Sequence, residues 1–237
     1  MRTHTCRAVI FDMDGTLLDT IEDIADSMNE ALSRMGYAGH PVNAYLAFVG
    51  EGIEVLAERS LPASERTAPT VAEAVRIMRE VYAERWAVKS RPYAGVGDLL
   101  DGLSSRNIPM SILSNKLDGF TRAMAASLLA GWTFTEVRGL VPGGPRKPDP
   151  AGALACARLM GVDPDACILV GDSGVDMETA VRAGMAGFGA LWGYQDRERL
   201  LAGGARVLME DPRELLGYLE GKAVRRRARA RRENRRQ

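Results

Sequence analysis

The stretch FDMDGTLLD, residues 11–19, follows the apolar run Ala8-Val9-Ile10 near the start of the 237-residue chain. Residues 7–12 read as a strand buried on both faces, as in a parallel sheet. Asp12 and Asp14 stand where that strand opens into a loop. In extended chain, residues two apart point the same way, so both carboxylates can face one pocket. Gly15 lets the backbone turn sharply, and Thr16 follows it. Ligands of open α/β sheets sit outside the carboxyl ends of the strands, so position and chemistry agree. Three other readings compete. Asp-x-Asp-Gly also suits a surface turn. A calcium loop counted from Asp12 needs Gly at its sixth place and Glu at its twelfth, where this chain has Leu17 and Asp23. A nucleotide-binding loop needs G-x-x-x-x-G-K-[ST], which does not occur.

Further apolar runs predict strands at 110–114 and 167–171, with weaker ones at 136–140, 187–191 and 206–209. Helical patterns lie between them: at 95–106, from Asp149-Pro150 onward, and at 174–183 before the stop at Gly184. This alternation predicts an α/β fold with a doubly wound, Rossmann-like parallel sheet. Residues 20–90 break it with almost no strand pattern. Residues 20–35 read as a helix stopping near Gly36. Thr70 and Glu73 match a capping box, and Val71, Ala74, Val75, Met78, Val81 and Tyr82 then recur at helical spacing. The expected division is an α/β core from residues 1–18 and 91–221, a helical insertion over 19–90, and a basic, disordered tail over 222–237.

The formal net charge of zero hides an asymmetry: the last 16 residues carry nine Lys or Arg and one Glu, the remaining 221 carry 22 bases and 30 acids. A basic tail can make nonspecific contact with nucleic acid, but an acidic body is wrong for gripping a polyanion. No apolar stretch approaches the ~20 residues that span a bilayer. MRTHTCRAVIFD lacks the apolar segment of a signal peptide, so the expected location is cytoplasmic, with no membrane partner. Cys6, Cys156 and Cys167, odd in number and without paired ligand spacing, read as small core residues, not as a disulfide framework or zinc site.

The other strand ends carry matching chemistry. The second strand closes with Ser114-Asn115, the third with Gly171-Asp172-Ser173-Gly174-Val175-Asp176. Between them Lys147 sits on the Pro-stiffened loop Arg146–Pro150. Each piece alone has a bland reading; together they put acids, a hydroxyl and a cation where one pocket should form. Packed carboxylates repel one another, and a divalent cation relieves that cost; all-oxygen ligands favour Mg²⁺. Asp12 and Asp172 are the expected direct ligands, with Asp176 holding a metal-bound water or standing just outside.

This combination resembles the haloacid dehalogenase superfamily, and within it the phosphatases. The match is D-x-D-G-T at Asp12–Thr16, Ser114, Lys147, and G-D-x-x-x-D at Gly171–Asp176, over about residues 7–215. The resemblance implies that 19–90 is a helical cap and that the backbone carbonyl of Asp14 joins the metal ligands. It implies that Asp12 attacks phosphorus while Asp14 moves the proton. Ser114, Asn115 and Lys147 would hold the phosphate, with Lys116 a lesser candidate, and Gly15 and Thr16 would shape the loop. FVGEGIEVLAERSL, residues 48–61, resembles the cap loop of phosphoglycolate phosphatases, where Gly50 and Gly52 would let backbone approach a small phosphorylated metabolite. The expected reaction is conversion of 2-phosphoglycolate to glycolate and phosphate. Alternatives are a β-phosphoglucomutase-like enzyme, another sugar phosphatase, a pyrophosphatase, or a non-catalytic binding protein on the same fold. His40, lying in Gly39-His40-Pro41 with no Arg beside it, lowers the mutase reading.

Overall fold

The computed structural model describes residues 6–221; the basic tail expected over 222–237 lies outside them. Six parallel strands form one sheet. In chain order they are β1 (Ala8–Phe11), β4 (Met110–Leu117), β5 (Glu136–Leu140), β6 (Cys167–Gly171), β7 (Ala186–Ala190) and β8 (Val207–Met209). Their spatial order is β5-β4-β1-β6-β7-β8. The chain therefore builds outward on one side of β1, returns to its other side at β6, and builds outward again. That reversal opens a crevice at the carboxyl end of β1.

Strand alternation explains the two cores. Val9, Phe11, Ile168 and Val170 face one cluster, with Leu99 and Leu100 of helix α5 (Val96–Ser104) and Met124 of α6 (Asp118–Leu128). Ala8, Ile10, Cys167 and Leu169 face the other, with Cys156 of α7 (Ala151–Leu159) and Met177 of α8 (Gly174–Arg182). Both faces are covered, which is why these strands read as continuous apolar runs. Cys156 and Cys167 are buried, as expected; Cys6 is partly exposed.

Residues between β1 and β4 first make a short antiparallel pair, β2 (Leu18–Asp19) with β3 (Arg91–Pro92). Four helices fill the gap: α1 (Ile21–Arg34), α2 (Val42–Tyr45), α3 (Ile53–Ser60) and α4 (Ala68–Arg85). Their apolar faces close on one another around Met28, Leu32, Tyr45, Leu56 and Met78. At the joint, the buried carboxylate of Asp23 accepts the backbone N–H groups of Lys89 and Ser90 and the Ser90 hydroxyl at 2.7–3.1 Å. This ties the first turn of α1 to the strand that leaves the helical segment.

Three local expectations change. The capping box at Thr70 and Glu73 is not the helix start. Helix α4 begins at Ala68, and the Thr67 hydroxyl accepts from the Thr70 N–H. Pro69 fits the first turn because that turn needs no N–H there, which moves the cap three residues earlier. Strand β4 does not close at Ser114 but runs to Leu117, shifting register against β5 between Leu113 and Leu117. The polar run Ser114-Asn115-Lys116 mimics a strand end because Asn115 and Lys116 are satisfied by partners outside the sheet and Ser114 by the Lys116 N–H. The β2–β3 pair is too short to carry a periodic signal. Among the described residues, no helix is long and apolar enough to cross a membrane.

Candidate active site

Parallel pairing brings the acids together. Phe11 lies opposite Val170, and the Asp12 N–H donates to the Val170 carbonyl at 2.9 Å, so Asp12 and Asp172 leave adjacent strands side by side. Asp176 enters from the first turn of α8. There it forms a reciprocal cap with Ser173: its carboxylate accepts the Ser173 N–H (3.1 Å) and hydroxyl (2.5 Å), and Ser173 Oγ accepts the Asp176 N–H. One carboxylate oxygen from each of Asp12, Asp172 and Asp176 falls within a mutual 4.8 Å.

Lys147 is the cation of this group. Its Nζ lies 2.8 Å from Asp12 Oδ1 and 2.5 Å from Asp176 Oδ1, with the side chain 3% exposed. Burial alone would lower its pKa, but Asp12 and Asp176 outweigh burial and hold it above the ordinary lysine range. Three ionised carboxylates beside one ammonium would leave two surplus negative charges in a buried site. Burial and mutual repulsion therefore disfavour their charged forms. Burial, then the charge of Asp176, pushes Asp12 up to about 7. Burial, Asp176 and Asp12 push Asp172 well above the carboxylate range. Asp12 Oδ1 is buried and, despite its closeness to Lys147, receives no aligned hydrogen bond. A cluster of oxygen donors with surplus negative charge and an under-used oxygen fits a hard divalent cation.

Asp14 has separate partners. Its Oδ1 accepts from Thr20 Oγ1 at 2.7 Å, and Lys116 Nζ lies 3.0 Å from both its oxygens. Lys116 also sits 4.7 Å above the centre of the Tyr82 ring. Thr20 Oγ1 is 3.0 Å from the Tyr194 hydroxyl, and the Tyr194 N–H donates to Asp172 Oδ2 at 2.8 Å. Tyr194 thus touches the supports of both acids.

The loop between the acids is tightly fitted. Gly15 has φ +82°, and a Cβ there would lie 2.2 Å from Asp172 Oδ2. Thr16 Oγ1 donates to Asp172 Oδ1 at 3.3 Å. Asn115 is a brace: its amide donates to the carbonyls of Gly50 and Lys147 and accepts the Lys147 N–H, joining strand end, lysine loop and helical segment. Gly50 and Gly52 both take positive φ, 108° and 98°, and line the cavity above the acids. Ser114 lines it too, accepting the Lys116 N–H at 3.2 Å.

The residues expected to form the site therefore lie at this crevice or brace it, whereas His40 does not line it. Missed there were Thr20 and Ser173, together with Gln195, which accepts the Gly174 N–H; Tyr194, whose place after a strand lets it border the pocket although packing is the commoner reading, lines the cavity. Tyr194 follows the strand β7, so the strand-end rule alone was a usable signal.

Comparison with known proteins agrees with this construction. A family model described as haloacid dehalogenase-like hydrolase matches residues 9–190. The phosphoglycolate phosphatase of Aquifex aeolicus is 30% identical over 188 residues, covering 79% of this chain and 86% of that one. The phosphoglycolate phosphatase of Mesorhizobium japonicum is 33% identical over 192 residues, 80% and 84% respectively. Among solved structures, a haloacid dehalogenase-like hydrolase from Streptococcus pneumoniae superposes with TM-score 0.81 at 25% identity, over 90% of this chain and 98% of that one. The chain belongs to the haloacid dehalogenase-like hydrolase family. It is an enzyme of the phosphatase kind within that family.

Proposed function

We propose that this enzyme is a Mg²⁺-dependent phosphomonoesterase that works through an aspartyl-phosphate on Asp12, with 2-phosphoglycolate as its substrate. The observation that carries the mechanism is the division of labour between two carboxylates two residues apart. Asp12 stands with Lys147 and the other clustered acids; Asp14 stands outside the cluster with Thr20 and Lys116. That division suits Asp12 to react at phosphorus and Asp14 to handle a proton.

Asp12 and Asp172 would hold Mg²⁺ directly, joined by the Asp14 carbonyl. Asp176 suits an indirect role, since its oxygens already accept from Lys147 and Ser173. When bound, the ion supplies the positive charge that lets a phosphate dianion approach this cluster. Lys147 and Ser114 bind the phosphoryl oxygens, and Asn115 keeps Lys147 in place. A carboxylate oxygen of Asp12 forms a bond to phosphorus as the ester P–O bond breaks. Asp14 delivers a proton to the departing oxygen. It then takes a proton from the water whose oxygen bonds to phosphorus, and the Asp12–phosphorus bond breaks to release phosphate.

Helices α1–α4 would serve as a cap, excluding water during attack. The substrate assignment is supported by the names of the relatives and by the small glycine-lined approach at Gly50 and Gly52. His40 bonds the Ser60 carbonyl at 2.8 Å and packs edge-on against Tyr45 and Phe48, outside the cavity lining, which weighs against a mutase needing it for sugar hydroxyls. A panel of phosphorylated metabolites assayed with Mg²⁺ and with chelator tests the reading. 2-Phosphoglycolate should lead the panel, and only with the metal. A clear preference for a hexose phosphate or a nucleotide would reject the substrate.

A further inference from the structure

Lys116 has no role in the mechanism above. It is nonetheless a little-exposed cation, its side chain 9% exposed, within β4, and it lines the cavity. Among the described residues it is the one Lys or Arg that does so. Val49, Ile53, Leu56, Met78 and Phe120 give the same cavity an apolar wall. Its Nζ lies 3.0 Å from the Asp14 carboxylate and 4.7 Å from the centre of the Tyr82 ring, surroundings that suit an ammonium. An ammonium carries three donors, and pairing with the single carboxylate of Asp14 does not exhaust them.

We infer that Lys116 is the specificity-determining residue of the leaving-group pocket, reading a carboxylate on the alcohol half of the substrate. The inference rests on the phosphomonoesterase reading and deepens it. The substrate class becomes phosphate esters of short hydroxy acids. One anionic group meets one buried cation, and the remaining carbon meets the apolar wall. A sugar in the same place would leave several hydroxyls against Val49, Ile53, Leu56 and Met78 without partners, which is costly. Selection against polyols thus comes from the wall and selection for an acid from Lys116. Tyr82, under the ammonium at 4.7 Å, and Asp14, at 3.0 Å, hold it at the cavity edge.

The test compares 2-phosphoglycolate with ethyl phosphate, which replaces the carboxylate by a methyl group, in the full-length enzyme with Mg²⁺. The readout is the ratio of their kcat/KM values. Because Lys116 also touches Asp14, replacing it should slow both substrates; that common loss cancels in the ratio. Lys116→Met should lower the ratio roughly 10- to 100-fold, mostly through KM for the acid, because a desolvated charge pair is lost. Lys116→Arg should keep much of it, since the charge remains. Lys116→Gln reads the same ratio if the Met variant fails to fold, with thermal melts alongside. A wild-type preference for the acid that survives in Lys116→Met or Lys116→Gln overturns the inference and leaves the proposed substrate standing. Equal wild-type turnover of the two esters overturns both inference and substrate, and leaves phosphomonoester hydrolysis standing.

Discussion

The carboxyl end of the sheet and the helical segment above it wall one cavity with opposite chemistries. The sheet end contributes Asp12, Asp14, Ser114 and Asp172; the helical segment contributes Ile24, Ile53, Leu56, Met78 and Tyr82 from its helices and Val49 from the loop before α3. Their construction differs as well. The sheet end is held by buried, charged and directional contacts, such as Lys147 between Asp12 and Asp176. The helices hold together by apolar packing around Met28, Tyr45 and Leu56, with ion pairs such as Arg76–Glu73 confined to the exposed face. Charged groups, Lys116 among them, are thus kept at the sheet end, and the helical segment, joined to it at Asp23, Asn115 and Tyr82, carries the apolar wall. A change at the sheet end should alter chemistry or, at Lys116, selection for an acid, and a change among the helices should alter stability or the fit of the apolar part of the substrate.

The largest separation is expected at the proposed nucleophile. Asp12→Asn should lower kcat by at least about a thousandfold while the fold persists, read by steady-state assay and circular dichroism. Activity near wild type in that variant would remove the chemical asymmetry between the two regions. Gly15→Ala comes next. Its φ of +82° and the 2.2 Å approach to Asp172 predict a loss of about 2–3 kcal/mol in chemical denaturation, with weakened Mg²⁺ dependence of activity.

A smaller effect follows from electrostatics. In metal-free protein Asp12 titrates at about 7, above the ordinary 3.8. Folded protein therefore holds a proton that the unfolded chain has released, and stability falls as pH rises between those values. In chelator the stability of Asp12→Asn relative to wild type should rise steadily as pH goes from 5 to 8. At pH 8 the Asn variant should be more stable by ~1–2 kcal/mol, since one of the crowded charges is gone. A less stable Asn variant at pH 8 would mean that pairing with Lys147 outweighs the crowding. The mildest change is Thr67→Ala in the helices, which removes the cap of α4 and should cost about 1 kcal/mol with kcat unchanged.

The same contrast governs what the sequence discloses. Strands β1 and β6 announce themselves because burial on both faces demands unbroken apolar runs, and Asp12 and Asp172 stand directly after them. Lys147 is legible once a pocket full of acids requires a cation. Contacts between distant segments carry no such local signature. Tyr194 reaches Thr20 across 174 positions, and Asp23 binds the backbone at 89–90; neither shows a motif. Lys116 is intermediate. It stands two places beyond Ser114, the spacing that returns a strand residue to the same face, but the strand looks finished before it. The apolar wall is the least legible part, since Ile53, Leu56 and Met78 obey the same helical periodicity whether they face a core or a ligand.

The central claim is that Asp12, not water, makes the first bond to phosphorus. The most direct test is the stereochemical course at phosphorus, using a phosphorothioate monoester made chiral with oxygen isotopes. Two successive in-line displacements, first by Asp12 and then by water, predict net retention of configuration in the released thiophosphate. Net inversion would mean a single attack by water and would contradict the account.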